Sequence, residues 1–260
     1  MVRARAVKRP KGVSAAAQPV SAPFRVSDAG IEWIKWLAFG AMIFDHVNWL
    51  WFARGGDPRL TAGVHPWMND VGRLALPLFA FAFGHNLVRV LESDARAVRL
   101  RRMGLRLAVA GLAAQIPYWL LRGYFWPLNV VFLFGACAGL VVLWNLPIER
   151  HRLLVRSGVL VVGLVVGAGV EYWWLGMGVV LAAVAVARAR SWGSLLIFVA
   201  ALVPICLLNG NLYAVLAVVA IVAVRNAGKA PPRIPGLLYV LYPAHLWAML
   251  ALVTLFARAS

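Results

Sequence analysis

Residues 31–52 read IEWIKWLAFGAMIFDHVNWLWF. An apolar run of this length matches the roughly 20 residues that a helix needs to cross about 30 Å of hydrocarbon. It exceeds the roughly 7–15 residues of a signal-peptide core, so it is expected to remain as a membrane anchor. Further apolar runs follow it almost to the end of the chain.

The composition agrees with that reading. Of 260 residues, 63% are apolar and 13% charged, and the mean hydropathy is +0.80. Soluble domains lie near 45–50% apolar and about 25% charged, and a soluble core this large would leave too little polar surface to cover it. No ten-residue alternating pattern appears, which excludes a closed β-barrel. The expected fold is therefore an all-α, polytopic integral membrane bundle.

Nine spans are predicted: 31–52, 71–91, 103–121, 128–144, 153–170, 174–187, 192–208, 212–224 and 236–256. The sixth and eighth are short for a full crossing. Residues 1–26, with Arg3, Arg5, Lys8, Arg9, Lys11 and Arg25 among Ala, Pro and Ser, read as a basic, disordered cytoplasmic tail ahead of a membrane domain covering 27–260.

The net charge of +17 would point to nucleic acid in a soluble protein. Here its distribution has another cause. Basic residues crowd alternate loops: Arg89, Arg96, Arg99, Arg101, Arg102 and Arg106 after span two, then Arg150, Arg152 and Arg156, then Arg188 and Arg190, then Arg225, Lys229 and Arg233. The opposite loops hold Arg54, Arg59 and Arg122 beside Asp57, Asp70 and Glu171. By the positive-inside rule the amino terminus is cytoplasmic and, with nine spans, the carboxy terminus outside. No nucleic-acid partner is expected, and membrane lipids are. Trp33, Trp36, Trp49, Trp51, Trp67, Trp126, Trp144, Trp173, Trp174 and Trp192 cluster at proposed span ends, as interfacial belts do. Cys137 and Cys206 stand alone in apolar runs, fitting neither disulfide nor zinc spacing, and no metal is expected.

Ionisable groups in hydrocarbon are costly and so mark candidate sites. Asp45 and His46 lie about 10 Å below the outer end of span one at 1.5 Å per residue. They serve either as a pair tying helices together or as chemistry. Adjacent helical residues point about 100° apart, so Asp45 needs another partner, and Arg73 is the nearest basic residue by depth. Gln115, Asn129 and Glu171 come to the same outer level, and together these residues would enclose a hydrated pocket. His85, Asn86, Tyr239, Tyr242 and His245 lie deeper. His85 reads best as a cap of span two, whereas His245, one turn beyond Tyr242, suits structure and function equally. The Arg96–Arg106 cluster is a topology determinant that would also bind a polyphosphate through guanidiniums such as Arg99, Arg101 and Arg102.

Five segments carry a family resemblance: Lys35-Trp36 leading into Met42-Ile43-Phe44-Asp45-His46, Gly72-Arg73-Leu74-Ala75-Leu76-Pro77-Leu78-Phe79-Ala80-Phe81, Arg106-Leu107 through Gln115-Ile116-Pro117, Asn129-Val130-Val131-Phe132, and Tyr242-Pro243-Ala244-His245-Leu246. In these the chain resembles the TraX family of conjugative pilin acetylation proteins, TrbP-like members included, which is similar to wider membrane acyltransferases. The resemblance covers spans one to four and nine; Glu171 is carried by position alone. It implies an inner-membrane N-acetyltransferase that moves an acetyl group from acetyl-coenzyme A to the N-terminal amine of a processed pilin subunit. His46 would be the base, with His245, deeper in the membrane, as the competing candidate, Asp45 and Arg73 as catalytic companions, and Arg73, Gln115 or Asn129 as oxyanion donors. Gln115, Asn129, Glu171 and Tyr242 would bind the acceptor, and Arg99, Arg101 and Arg102 the coenzyme. The alternatives are a non-enzymatic pilus assembly factor and a small permease. A permease should show paired helix breaks in its two halves, which the sequence barely does.

Overall fold

The structure is a computed structural model that describes residues 24–55 and 66–259. Those residues fold into helices α1 (Asp28–Gly55), α2 (Pro66–Gly72), α3 (Ala75–Leu91), α4 (Arg96–Arg122), α5 (Val130–Trp144), α6 (Arg152–Gly167), α7 (Trp173–Ala189), α8 (Trp192–Asn209), α9 (Tyr213–Val224) and α10 (Leu237–Ala259). The one β feature among them is an isolated parallel bridge between Leu128 and Val170. Among the described residues, four helical stretches are long and apolar enough to cross a membrane: Trp67–Leu91 (α2 with α3), Arg96–Arg122, Trp192–Asn209 and Leu237–Leu255. Val130–Trp144, Trp173–Ala189 and Tyr213–Val224 are shorter apolar helices. The chain is thus an all-helical membrane protein. Residues 1–23, Asp57, Arg59 and Ser260 lie outside the described residues, as do the side chains of Trp49, Trp51 and Arg54.

Element boundaries follow local chemistry. The Ser27 hydroxyl accepts from the Gly30 N–H at 3.0 Å and caps α1, with Asp28 in its positive first turn. Ser191 and Ser194 cap α8 reciprocally, in a capping-box arrangement. The second predicted span breaks at Arg73-Leu74, because Pro77 brings no N–H to bond the Arg73 carbonyl and its ring is accommodated in the first turn of α3. By contrast α4 starts seven residues before the predicted span, at Arg96 instead of Met103. The basic cluster read as a loop is helical, since Arg and Leu are good helix formers.

The predicted tail also ends earlier than expected. Phe24 and Val26 are buried, and Phe24 meets Trp192 edge-on at 5.1 Å between ring centroids. The Phe24 and Ser27 N–H groups donate to the carbonyls of Arg190 at 3.1 Å and Arg225 at 2.8 Å. These residues therefore dock against the ends of α7 and α9.

The core centres on α3 and α7. A Cβ on Gly84 would stand 2.7 Å from the carbonyl carbon of Ala183, so the two backbones meet only because position 84 has no side chain. Small residues on α7, Ala182, Ala183 and Ala187, are buried along this seam, as in close-packed membrane helices. Around it α1 packs on α3 and α10, and α10 on α4. On the periphery α6 leaves Leu153, Leu154, Leu164 and Val165 largely exposed, an apolar face suited to lipid. Cys137 and Cys206 are free and buried, as fillers.

Candidate active site

Helix periodicity assembles the first part of the site. Arg99, Arg102 and Arg106 are spaced i, i+3, i+7 on one face of α4, and all three line a cavity of about 550 Å³ between α1, α3, α4 and α10. Arg101, off that face, is exposed and does not line it, so the structure does not bring it together with Arg99 and Arg102 in this cavity. Lys35 on α1, Arg89 on α3 and Arg233 before α10 complete a ring of cations at the mouth. Deeper, the walls turn aromatic and aliphatic through Phe79, Phe83, Phe134 and Leu107, and reach Tyr242.

One turn beyond Tyr242 on α10, the two candidate histidines meet. His46 Nδ1 and His245 Nε2 are 2.7 Å apart, with the rings nearly parallel and their centroids 4.9 Å apart. The partners of His245 fix the tautomers. Its Nδ1 faces the Leu241 carbonyl at 3.1 Å, and a carbonyl only accepts, so Nδ1 carries the proton. In a neutral ring Nε2 is then the acceptor, His46 donates from Nδ1, and the lone pair of His46 Nε2 is left for another proton. Tyr242 and Phe39, which both line the cavity, stand edge-on to His245 at 5.4 and 6.3 Å.

A second polar group is built where two loops meet. The Leu128 N–H donates to Gly169 O at 2.9 Å and the Glu171 N–H to Leu128 O at 2.8 Å, stitching the α4–α5 and α6–α7 loops together and presenting Glu171. Arg122 donates to the Glu171 carboxylate at 3.3 Å and lies 4.7 Å from the centre of the Tyr118 ring. Burial pushes the Glu171 carboxyl above the ordinary carboxylate range, while the Arg122 guanidinium pulls it back. Glu171 also feels the charge of Asp45, and Arg122 acts electrostatically on His46.

A family model described as TraX protein matches residues 30–253. The chain belongs to the TraX family. No curated protein and no solved structure matches it. In this TraX chain the matched range includes both histidines, Asp45, Glu171 and the whole lining of the cavity.

Several expectations about the TraX site change. Asp45 packs against Gly72 and feels the charges of Arg73 and Arg122, but forms no ion pair with Arg73 within 4.0 Å; Arg73 instead donates to the Asn69 side chain at 2.7 Å. Gln115 and Asn129 are buried structural ties instead of open donors. Gln115 Oε1 accepts from the Asn129 N–H and side-chain amide, both at 2.9 Å, and its own amide donates to Phe125 O at 2.8 Å. Asn129 also donates to Gly111 O at 2.8 Å while its Oδ1 caps Val131. Their binding capacity is consumed in joining α4 to α5. Asn129→Ala is therefore expected to destabilise the protein by about 2–4 kcal/mol, from the lost cap and the stranded Gly111 carbonyl. Thermal unfolding in detergent checks this. His85 bonds the Phe81 carbonyl of its own helix at 3.3 Å, in keeping with a structural role.

Lys35, Arg89, Arg106, Arg122 and Arg233 join the site beyond the residues chosen from sequence. The α4 spacing of arginines was the available signal for Arg106. Nothing local marks Arg233 or Arg122.

Proposed function

We propose that this protein is an inner-membrane N-acetyltransferase that carries an acetyl group from acetyl-coenzyme A, entering from the cytoplasm, to the N-terminal amine of a processed conjugative pilin subunit. The observation that carries the reading is the continuity of the site. A cavity with a cationic mouth and an apolar throat ends at Tyr242, the next turn of α10 holds the His245–His46 pair, and Arg122, ion-paired with Glu171, acts electrostatically on His46. A thioester with an anionic nucleotide tail suits the first part, and an amine nucleophile suits the second.

The α-amino group of a peptide, with a pKa near 7.7–8, is largely protonated at neutral pH and needs a base. In the proposed reaction His46 Nε2 takes a proton from the amine as its nitrogen bonds to the thioester carbonyl carbon. His245 stabilises the resulting imidazolium through the 2.7 Å hydrogen bond. The C–S bond then breaks, and coenzyme A leaves as a thiolate that regains a proton, giving the amide and free thiol. Gln115 and Asn129 are occupied, and Arg122, whose charge acts on His46 and whose guanidinium keeps N–H groups beyond its bond to Glu171, is the proposed donor to the developing oxyanion.

The orientation that this requires puts the amino terminus and the cavity mouth in the cytoplasm, with nine crossings. The arginine-rich ends of α3, α4, α6 and α7 support it. A cysteine beside Glu171 should react with an impermeant thiol reagent added outside whole cells, and one at Arg96 should not; the opposite pattern inverts the topology.

Purified protein in detergent, given acetyl-coenzyme A, should release free thiol only when processed pilin is added. Binding of pilin without thiol release would favour an assembly factor.

A further inference from the structure

One carboxylate lines the cavity, and it stands at the mouth. Glu32, in the first turns of α1, has a side chain only 12% exposed, and its Oε1 is held at once by Lys35 Nζ at 2.8 Å and Arg233 Nε at 3.4 Å. Of the six lining cations, Arg89 is paired with Asp28. Arg99, Arg102 and Arg106 form no ion pair with any carboxylate among the described residues. The mouth thus holds three guanidiniums without counter-ions and two cations tied to one inward carboxylate.

We propose that Glu32 is a resident counter-anion that sets the ligand class of the cavity: it holds Lys35 and Arg233 until a phosphate-rich polyanion displaces it. This rests on the acetyl-coenzyme A reading and sharpens it. Glu32 competes at the high effective concentration of a tethered group. A monoanion offers the two cations nothing that the carboxylate does not already give. A ligand bearing two or more phosphates also reaches Arg99, Arg102 and Arg106, gaining charge-assisted hydrogen bonds beyond the reach of Glu32. Arg233 belongs to the segment Pro232-Arg233-Ile234-Pro235-Gly236, which borders the mouth and comes close to Arg106 at Gly236. Releasing Arg233 from Glu32 therefore unties this strap from α1 as the polyanion enters. The phosphates can belong to the nucleotide end of a soluble donor or to a dianionic lipid headgroup.

Adenosine 3′,5′-bisphosphate is a suitable probe, because it lacks a thioester and reports binding without acetyl transfer. Titrated into the full chain in phosphatidylcholine nanodiscs, it should bind E32Q about fivefold more tightly than wild type, and E32Q should gain measurable affinity for orthophosphate. E32D keeps a carboxylate but withdraws it by one methylene, and should bind about twofold more tightly, so the proposal remains testable if E32Q does not fold. Competition from cardiolipin nanodiscs assigns the mouth to the headgroup, and its absence to the soluble nucleotide. Equal or weaker binding by E32Q, or by E32D where E32Q does not fold, overturns the proposal and makes Glu32 a structural tie. Thiol release from acetyl-coenzyme A with no tightening in E32Q would sink this inference alone. Tightening without thiol release would sink the acetyltransferase reading alone.

Discussion

His46→Ala is expected to lower acetyl transfer to the pilin amino terminus by about 10²–10⁴-fold while leaving expression and insertion intact. The size of the effect follows from the hydrogen bonding of the pair. His245 Nδ1 is committed to the Leu241 carbonyl and its Nε2 accepts from His46, so His46 Nε2 is the free basic position of the two rings. Removing that ring removes the base. His245→Ala leaves the base but no longer fixes its tautomer or shares its charge, so the expected loss is smaller, about 10–10²-fold, with an altered pH–rate profile. Because the two rings act as one unit, the double variant should be no slower than His46→Ala alone. Intact-mass measurement of the acetylated subunit gives the rates. Full activity in His46→Ala with loss in His245→Ala would move the base to α10, and normal acetylation in both would end the histidine mechanism.

That pairing also marks where sequence reasoning stops. Both histidines were recognisable, because an ionisable residue in an apolar run is conspicuous. Their contact was not, since it joins residues 199 apart through the packing of α1 on α10, which hydropathy does not encode. The helical runs themselves were legible from length and apolarity. The break at Arg73-Leu74 was readable from Pro77 and from Arg73 itself, but the predicted span began at residue 71, two residues before it, and took those residues into one continuous helix. Gln115 and Asn129 misled for a related reason. A polar side chain at the right depth looks the same in sequence whether it awaits a ligand or is spent on Gly111 and Phe125 carbonyls. The arginines of α4 show the converse. Their i, i+3, i+7 spacing separates Arg99, Arg102 and Arg106 from Arg101 once the segment is taken as helix instead of loop.

The second large effect is expected at Gly72, where packing and the site depend on the same missing side chain. A Cβ built there would lie 2.3 Å from Asp45 Cβ and 2.6 Å from its Oδ1, against about 3.5–4.0 Å for comfortable carbon contacts. The clash is with an atom fixed to the α1 backbone, so rotamer changes cannot relieve it; α1 and the α2–α3 junction must separate by about 1 Å. His46 is the next residue on α1, and a displacement of that size at a reacting group costs about 10²-fold in rate. Gly72→Ala should therefore lose about 10²-fold in acetyl transfer and about 1–3 kcal/mol of stability to overpacking. Asp45→Gly removes the obstructing Cβ. In that background Gly72→Ala should cost almost nothing further in unfolding temperature or in rate, however much activity Asp45→Gly has itself lost. A double-mutant cycle on both quantities checks this. Equal penalties for Gly72→Ala with and without Asp45 would mean that the two helices do not meet at this point, and that α1 is positioned by its contact with α10 instead.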